Sequence, residues 1–180
     1  MSQNIHHPDN KCLYAPFRRS TLKVRPTFWV RNFPIRAAGV LFYRRMPLCQ
    51  DGIEFLFMHR PNGQYEDFGG KTEASDLDVL ATAAREVVEE SNGVFDCMWL
   101  REALQLAKRR GDYFINGASK YIVFILPSPE GIDLEAFGNI EVGTNFYRKM
   151  VWVPRQQIKD LALHPRLRTP YLWAGLSKAH

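Results

Sequence analysis

The residues best placed to do chemistry lie in one short stretch. Glu86, Glu89 and Glu90 stand at i, i+3 and i+4, so on a helix their three carboxylates share one face. Such crowding destabilises a bare helix by roughly tenths of a kcal/mol per pair and raises carboxylate pKa values. A divalent cation reverses both effects. An oxygen-only donor set suits Mg²⁺ or Mn²⁺ rather than zinc. Ahead of the helix, Phe68-Gly69-Gly70-Lys71 reads as a turn, where only a backbone without side chains brings a carbonyl close to the same ion. A Glu89-Glu90 pair alone would read as a solvated helix face. The third glutamate, the Gly-Gly step, the adjoining Arg85 and the closing Gly93 together weigh against that.

The elements that must position these residues follow from pattern. A helix is expected over about Leu77–Ser91, started by a Ser75/Asp78 capping box and ended by Asn92-Gly93. A second helix covers about Met98–Arg110, with Lys108-Arg109-Arg110 at the end where the helix dipole favours cations. A third covers about Arg155–Ala162 and continues beyond Pro165. Strand-like runs are Thr27–Arg31, Ala37–Tyr43, Ile53–Arg60 and Met150–Pro154. Tyr113–Ile115 and Lys120–Leu126 flank Asn116-Gly117, a pair suited to a tight hairpin turn with positive φ. Strands and helices interleave, so the class is α/β or α+β with a mixed sheet.

Charge is segregated along the chain. The formal net charge of +5 over 180 residues hides +8 in residues 1–45, −9 in 46–141 and +6 in 142–180. Hydrophobic residues at 46% and charged residues at 24% argue against a mostly disordered or fibrous chain. No apolar run is long enough for a membrane span. Residues 1–26 read as an irregular basic extension and 27–180 as one domain. Cys12, Cys49 and Cys97 are sparse and odd in number, which suggests neither a zinc cluster nor a disulfide framework. The start of the chain lacks the apolar core of a signal peptide. A cytoplasmic or nuclear protein is therefore expected. His6-His7 reads as part of a solvated tail.

The stretch Gly70–Val94 resembles the Nudix box, Gly-x5-Glu-x7-Arg-Glu-U-x-Glu-Glu-x-Gly-U with U apolar. Gly70, Arg85, Glu86, Val87, Glu89, Glu90, Gly93 and Val94 match in type and order. Asp76 stands where the first glutamate belongs, and one extra residue separates it from Arg85. This leaves the carboxylate partner of Arg85 open between Asp76 and Asp78. Ser91-Asn92 replaces a single residue before Gly93, which reads as a longer helix end.

The resemblance implies a Nudix-type α/β/α sandwich with a mixed central sheet, carrying an inserted helix at about 98–110. It implies hydrolysis of a diphosphate linkage, with Glu86, Glu89, Glu90 and the Gly70 carbonyl holding Mg²⁺ or Mn²⁺ and Arg85 orienting the glutamates. Glu86 or the later Glu141 would be the general base. Weaker similarity to diphosphoinositol polyphosphate phosphohydrolases, around Tyr147–Trp152, and to viral-type mRNA-decapping Nudix proteins suggests several substrates. These are an inositol pyrophosphate, a dinucleoside polyphosphate, a nucleotide derivative or a capped RNA 5′ end. No membrane or stable protein partner is implied.

Arg60, Lys71, Lys120, Arg148 and Lys149, with His59, are candidate phosphate-binding residues. Tyr65, Phe68 and Tyr147 are candidates for stacking on a base, with core packing the alternative for Phe68. A catalytically inactive module of the same fold, binding RNA or a protein partner, is the other reading.

Overall fold

A computed structural model describes residues 25–46 and 52–169, together with Leu172 and Leu176. Almost all of the basic N-terminal extension, including Cys12 and His6-His7, and also Cys49, lies outside the described residues.

The strands are β1 (Phe28–Val30), β2 (Phe33–Ile35), β3 (Ala37–Arg45), β4 (Ile53–His59), β5 (Tyr65–Glu66), β6 (Phe68–Lys71), β7 (Tyr113–Asn116), β8 (Tyr121–Pro127) and β9 (Lys149–Pro154). The helices are α1 (Val79–Glu90) and α2 (Cys97–Arg110), with 3-10 turns at Leu134–Phe137, Arg155–Asp160 and Pro165–Leu167. The class is mixed α+β. β1 and β2 form a separate ribbon. The main sheet has β3 at its centre, parallel to β8 and antiparallel to both β4 and β6. β4 pairs with β9 and β5, and β8 with β7, all antiparallel.

Both faces of the central strands are apolar, as a sheet covered on each side requires. Ala38, Val40 and Phe42 of β3, Leu56 and Met58 of β4, and Ile122, Phe124 and Leu126 of β8 point one way. There they meet Val79, Ala83, Ala84 and Val87 of α1 and Leu100, Leu104 and Ala107 of α2. The alternate residues Leu41, Phe55, Phe57, Val123 and Ile125 pack on the other side against Ile158, Leu163, Leu167 and the helical Leu172 and Leu176. Phe68 is fully buried and meets Phe42 and Phe95 edge-on, so core packing is its role.

Several expectations are corrected. α1 is capped by the Asp78 side chain, which accepts from the Ala81 amide at 2.8 Å, while Ser75 lies outside the helix. The 69–70 glycines are strand, not turn. β6 runs against β3 with Gly39 opposite Gly69 and Gly70 opposite Ala38. The β7–β8 hairpin exists, but its loop is Gly117–Lys120, and Lys120 rather than Gly117 takes positive φ (52°). The segment from Arg155 forms two 3-10 turns instead of an α-helix. Cys97 is disulfide-bonded, contrary to the expectation from cysteine count, because pairing depends on tertiary proximity that spacing does not encode. No helix among the described residues is long and apolar enough to cross a membrane.

Candidate functional site

Arg85 organises the site. It stands on the buried side of α1, with 6% of its side chain exposed. Its Nε and Nη2 donate to the two oxygens of Asp76 at 3.1 and 3.2 Å, a bidentate clamp. Nη2 also donates to the Lys71 carbonyl at 2.8 Å, tying the helix to the end of β6. Nη1 donates to Glu86 at 2.8 Å and Glu89 at 3.2 Å. Burial alone would lower the Arg85 pKa. The Asp76 hydrogen bond and the fields of Glu86, Asp76 and Glu89 outweigh it, and the net direction is up.

This settles the partner of Arg85. Asp76, 7% exposed, also accepts from the Thr82 hydroxyl at 2.9 Å and the Glu73 amide at 2.8 Å. Asp78, two residues on, is occupied as the helix cap. The extra residue between Asp76 and Arg85 is absorbed in the loop ahead of α1.

The glutamates are buried to different depths. Burial pushes Glu86 up to about 7. The Arg85 charge pulls it back only in part, and Glu89 adds to the rise. Glu89 is raised by burial first, opposed by Arg85, with Glu73 and Glu141 adding to the rise. Glu90 is raised well above the ordinary range by burial, with Glu86 and Asp67 adding and Arg166 and Arg60 opposing. Its Oε2 accepts from the Gly69 amide at 2.5 Å and its Oε1 from Arg60 at 3.5 Å. Gly70 faces Glu86 directly, and a Cβ there would lie 2.5 Å from the Glu86 Cδ. A glycine is therefore required for that carboxylate to sit against β6.

Beneath the triad lies a buried network that sequence reasoning missed. The Tyr121 hydroxyl donates to Asp67 at 2.5 Å. Arg166 donates from Nε to the other Asp67 oxygen and from Nη2 to the Asp67 carbonyl, both at 2.8 Å. Glu66 lies 3.7 Å from Arg166 and 3.4 Å from Arg60. The space that Cβ atoms of Gly39 and Gly69 would need is taken by the Tyr121 hydroxyl. Gly39 inside an apolar strand was the available signal, since a glycine there marks a close approach.

The extra residue Asn92 does more than lengthen a helix end. At φ 55° it donates to the Phe137 and Ile140 carbonyls at 2.7 and 3.0 Å and accepts from the Val142 amide at 2.8 Å. It thereby clamps the loop that carries Glu141 against the end of α1. The field of Glu141 reaches Glu89, and its carboxylate lies 3.9 Å from Arg148.

Of the expected phosphate-binding residues, Arg60 and Arg148 come to the glutamates. Arg148 is fully buried, and burial lowers its pKa against the opposing fields of Glu141 and Glu90. Lys149 pairs with His59 and alternates to the other face of the sheet. Lys71 is exposed at the end of β6, and Lys120 lies in the β7–β8 loop, two strands from Lys71 across β3. Tyr65 stacks on His59 with ring centroids 4.5 Å apart, and Tyr147 is exposed.

No protein-family model matches the chain, and no curated protein matches it. Solved structures do overlay on it. They are Nudix hydrolases. RenU from M. smegmatis is 19% identical, with a TM-score of 0.47 over 84% of this chain and 87% of that one. The hydrolase from Alicyclobacillus acidocaldarius is 16% identical, with a TM-score of 0.45 over 79% and 90%. That from Nitrosomonas europaea is 13% identical, with a TM-score of 0.41 over 81% and 88%. The functional reading rests on the side chains described above.

The donor set fits a hard divalent cation. It is all oxygen, its glutamates resist ionisation when alone, and the missing side chain at Gly70 lets the Glu86 carboxylate lie against the β6 backbone. Among the described residues no three acidic or histidine side chains already converge on one point. Glu86 and Glu89 are turned onto Arg85, and Glu90 onto the Gly69 amide.

Proposed function

We propose that this protein is a Nudix-type pyrophosphohydrolase that uses Mg²⁺ or Mn²⁺ to cleave a phosphoanhydride bond in a polyphosphorylated substrate. The observation that carries this is the Arg85 hub, which ties Asp76, the Lys71 carbonyl and two glutamates into one rigid, carboxylate-bearing helix face. Glu86, Glu89 and Glu90, with the Gly70 carbonyl, would hold the cation. When bound, the cation supplies charge for phosphate oxygens and acidifies an attacking water. Asp76 and Arg85 fix the orientation of the helix. Either Glu86, whose Oε atoms lie beside Gly70, or Glu141 would take the proton from water.

Substrates consistent with the nearby guanidinium groups are inositol pyrophosphates, dinucleoside polyphosphates, nucleotide derivatives and capped RNA ends. A panel of these with Mg²⁺ or Mn²⁺ separates them. Glu89→Gln is expected to abolish turnover on the active member while leaving the far-UV spectrum unchanged. Wild-type turnover in that variant would defeat the proposal.

A second reading is a module of this fold that binds RNA or a protein without catalysis. It is favoured by the hydrogen bonds that hold Glu86 and Glu89 on Arg85 and Glu90 on the Gly69 amide. Calorimetric titration with Mg²⁺ separates the two, since the enzyme reading requires a binding isotherm that Glu89→Gln weakens.

A further inference from the structure

The Nε, Nη1 and Nη2 atoms of Arg148 are all buried and without a hydrogen-bond partner, and Arg60 Nη1 is in the same condition. A buried guanidinium with no hydrogen bond loses hydration that no hydrogen bond replaces. The nearest acid to Arg148, Glu141, is 3.9 Å away, beyond hydrogen-bond reach.

The sheet register sharpens the point. β4 and β9 pair antiparallel with His59 opposite Lys149 and Met58 opposite Met150. Arg60 directly follows β4 and Arg148 directly precedes β9, so the two arginines leave the same end of this ladder. The field of Arg60 opposes the charge of Arg148, and like charges this close repel. The charged groups whose fields reach Arg148 are Glu141, Glu90 and Arg60. Arg60 donates to both Glu66 and Glu90, whereas the Arg148 side chain has the Glu141 ion pair at 3.9 Å and no hydrogen bond.

We propose that Arg148, with the free Nη1 of Arg60, is a built receptor for a phosphate group of the substrate, next to the glutamate face. A phosphate offers acceptor oxygens to the planar fork of Arg148 and to the free Nη1 of Arg60. Because Arg148 is fully buried, entry requires neighbouring residues to shift, and the loop holding Glu141 touches Arg148 through the Asn139 carbonyl and the Glu141 carboxylate. The proposal rests on the phosphoanhydride reading of the same site, and it names the side chains that recognise the phosphate.

The test is thermal melting of the full chain in excess chelator, with and without inorganic pyrophosphate, at matched ionic strength. It is run on the wild type, Arg148→Met and Arg148→Lys. The wild type is expected to melt higher with pyrophosphate. Arg148→Met is expected to melt at the wild-type temperature or above it without the anion, because a buried charge without a hydrogen bond is gone. Its pyrophosphate affinity by calorimetry should fall about ten- to a hundredfold, with Arg148→Lys in between.

Three results would overturn the proposal: no shift in the wild type, an undiminished shift in Arg148→Met, or a melting point several degrees lower in Arg148→Met without the anion. The last would mean that the pairing with Glu141 is structural. Chelator keeps this test separate from catalysis. Pyrophosphate binding lost with Arg148 while Glu89→Gln stays active would defeat only the hydrolase mechanism, and the reverse only the receptor.

Discussion

Without a cation, the glutamate face should make the protein less stable as pH rises. Glu86 titrates near an ordinary 4.5 when unfolded and about 7 when folded. Below pH 4.5 both states carry its proton. Between 4.5 and 7 the folded state keeps the proton that the unfolded state has lost, so stability falls with pH. Above 7 the contribution is gone. The span of about 2.5 pH units at 1.36 kcal/mol each amounts to about 3 kcal/mol. Glu89 and Glu90 act in the same direction. His164, whose pKa is lowered mainly by burial, acts oppositely, since its contribution is present above its unfolded pKa and lost as pH falls.

The assay is thermal melting in chelator at pH 5 and pH 8, for the wild type and Glu86→Gln. For a chain of this size about 3 kcal/mol corresponds to roughly 6–12 °C. The wild type should lose about that much more than Glu86→Gln on going to pH 8, and saturating Mg²⁺ should restore most of it at pH 8 and little at pH 5. Equal pH slopes in the two proteins, or a Mg²⁺ effect independent of pH, would refute the reasoning.

The buried clamp on Arg85 predicts that Asp76→Ala lowers stability by about 3–5 kcal/mol in urea denaturation. Asp78→Ala, which removes only the helix cap, should lower it by about 1 kcal/mol. Equal losses would mean that Arg85 uses both acids. Gly70→Ala should displace the Glu86 carboxylate, weakening Mg²⁺ binding by about tenfold or more in calorimetry with little change in melting temperature, since the flexible end of a side chain yields. Asn92→Gly keeps the positive φ and deletes three hydrogen bonds. It should speed hydrogen exchange in residues 138–148 without slowing it elsewhere, and unchanged exchange would show that the loop is held by other contacts.

The helix and its three glutamates were legible in the sequence because both rest on local spacing. So were β3, β4, β8 and β9, whose apolar runs are fixed by burial on two faces. The partner of Arg85 was not. Asp76 and Asp78 are both within reach along the chain, and the choice falls to Asp76 because Asp78 caps α1. The Gly69-Gly70 step reads as a turn in the sequence because glycine in isolation signals one. Here it signals that β6 must lie against Gly39 with the Tyr121 hydroxyl between them. The Asp67–Tyr121–Arg166 network was invisible, since its members are 54 and 99 residues apart and only tertiary folding joins them.

The charge segregation along the chain gains a physical meaning from two arginines of the basic C-terminal segment, Arg148, which is fully buried, and Arg166, which is partly buried. Arg166 crosses to the acidic centre, where Asp67 takes two of its hydrogen bonds and holds the floor beneath Glu90. Arg148 crosses to the same centre and finds no hydrogen bond. Arg85, inside the acidic centre itself, is saturated by four acceptor groups. If the basic segment served only to neutralise the glutamates, Arg148 would sit on one of them as Arg60 sits on Glu90. Instead it is buried and unbonded beside them. A phosphate bound there, as proposed, would supply the hydrogen bonds that Arg148 lacks; without one, the rest of the fold offsets the cost of its burial.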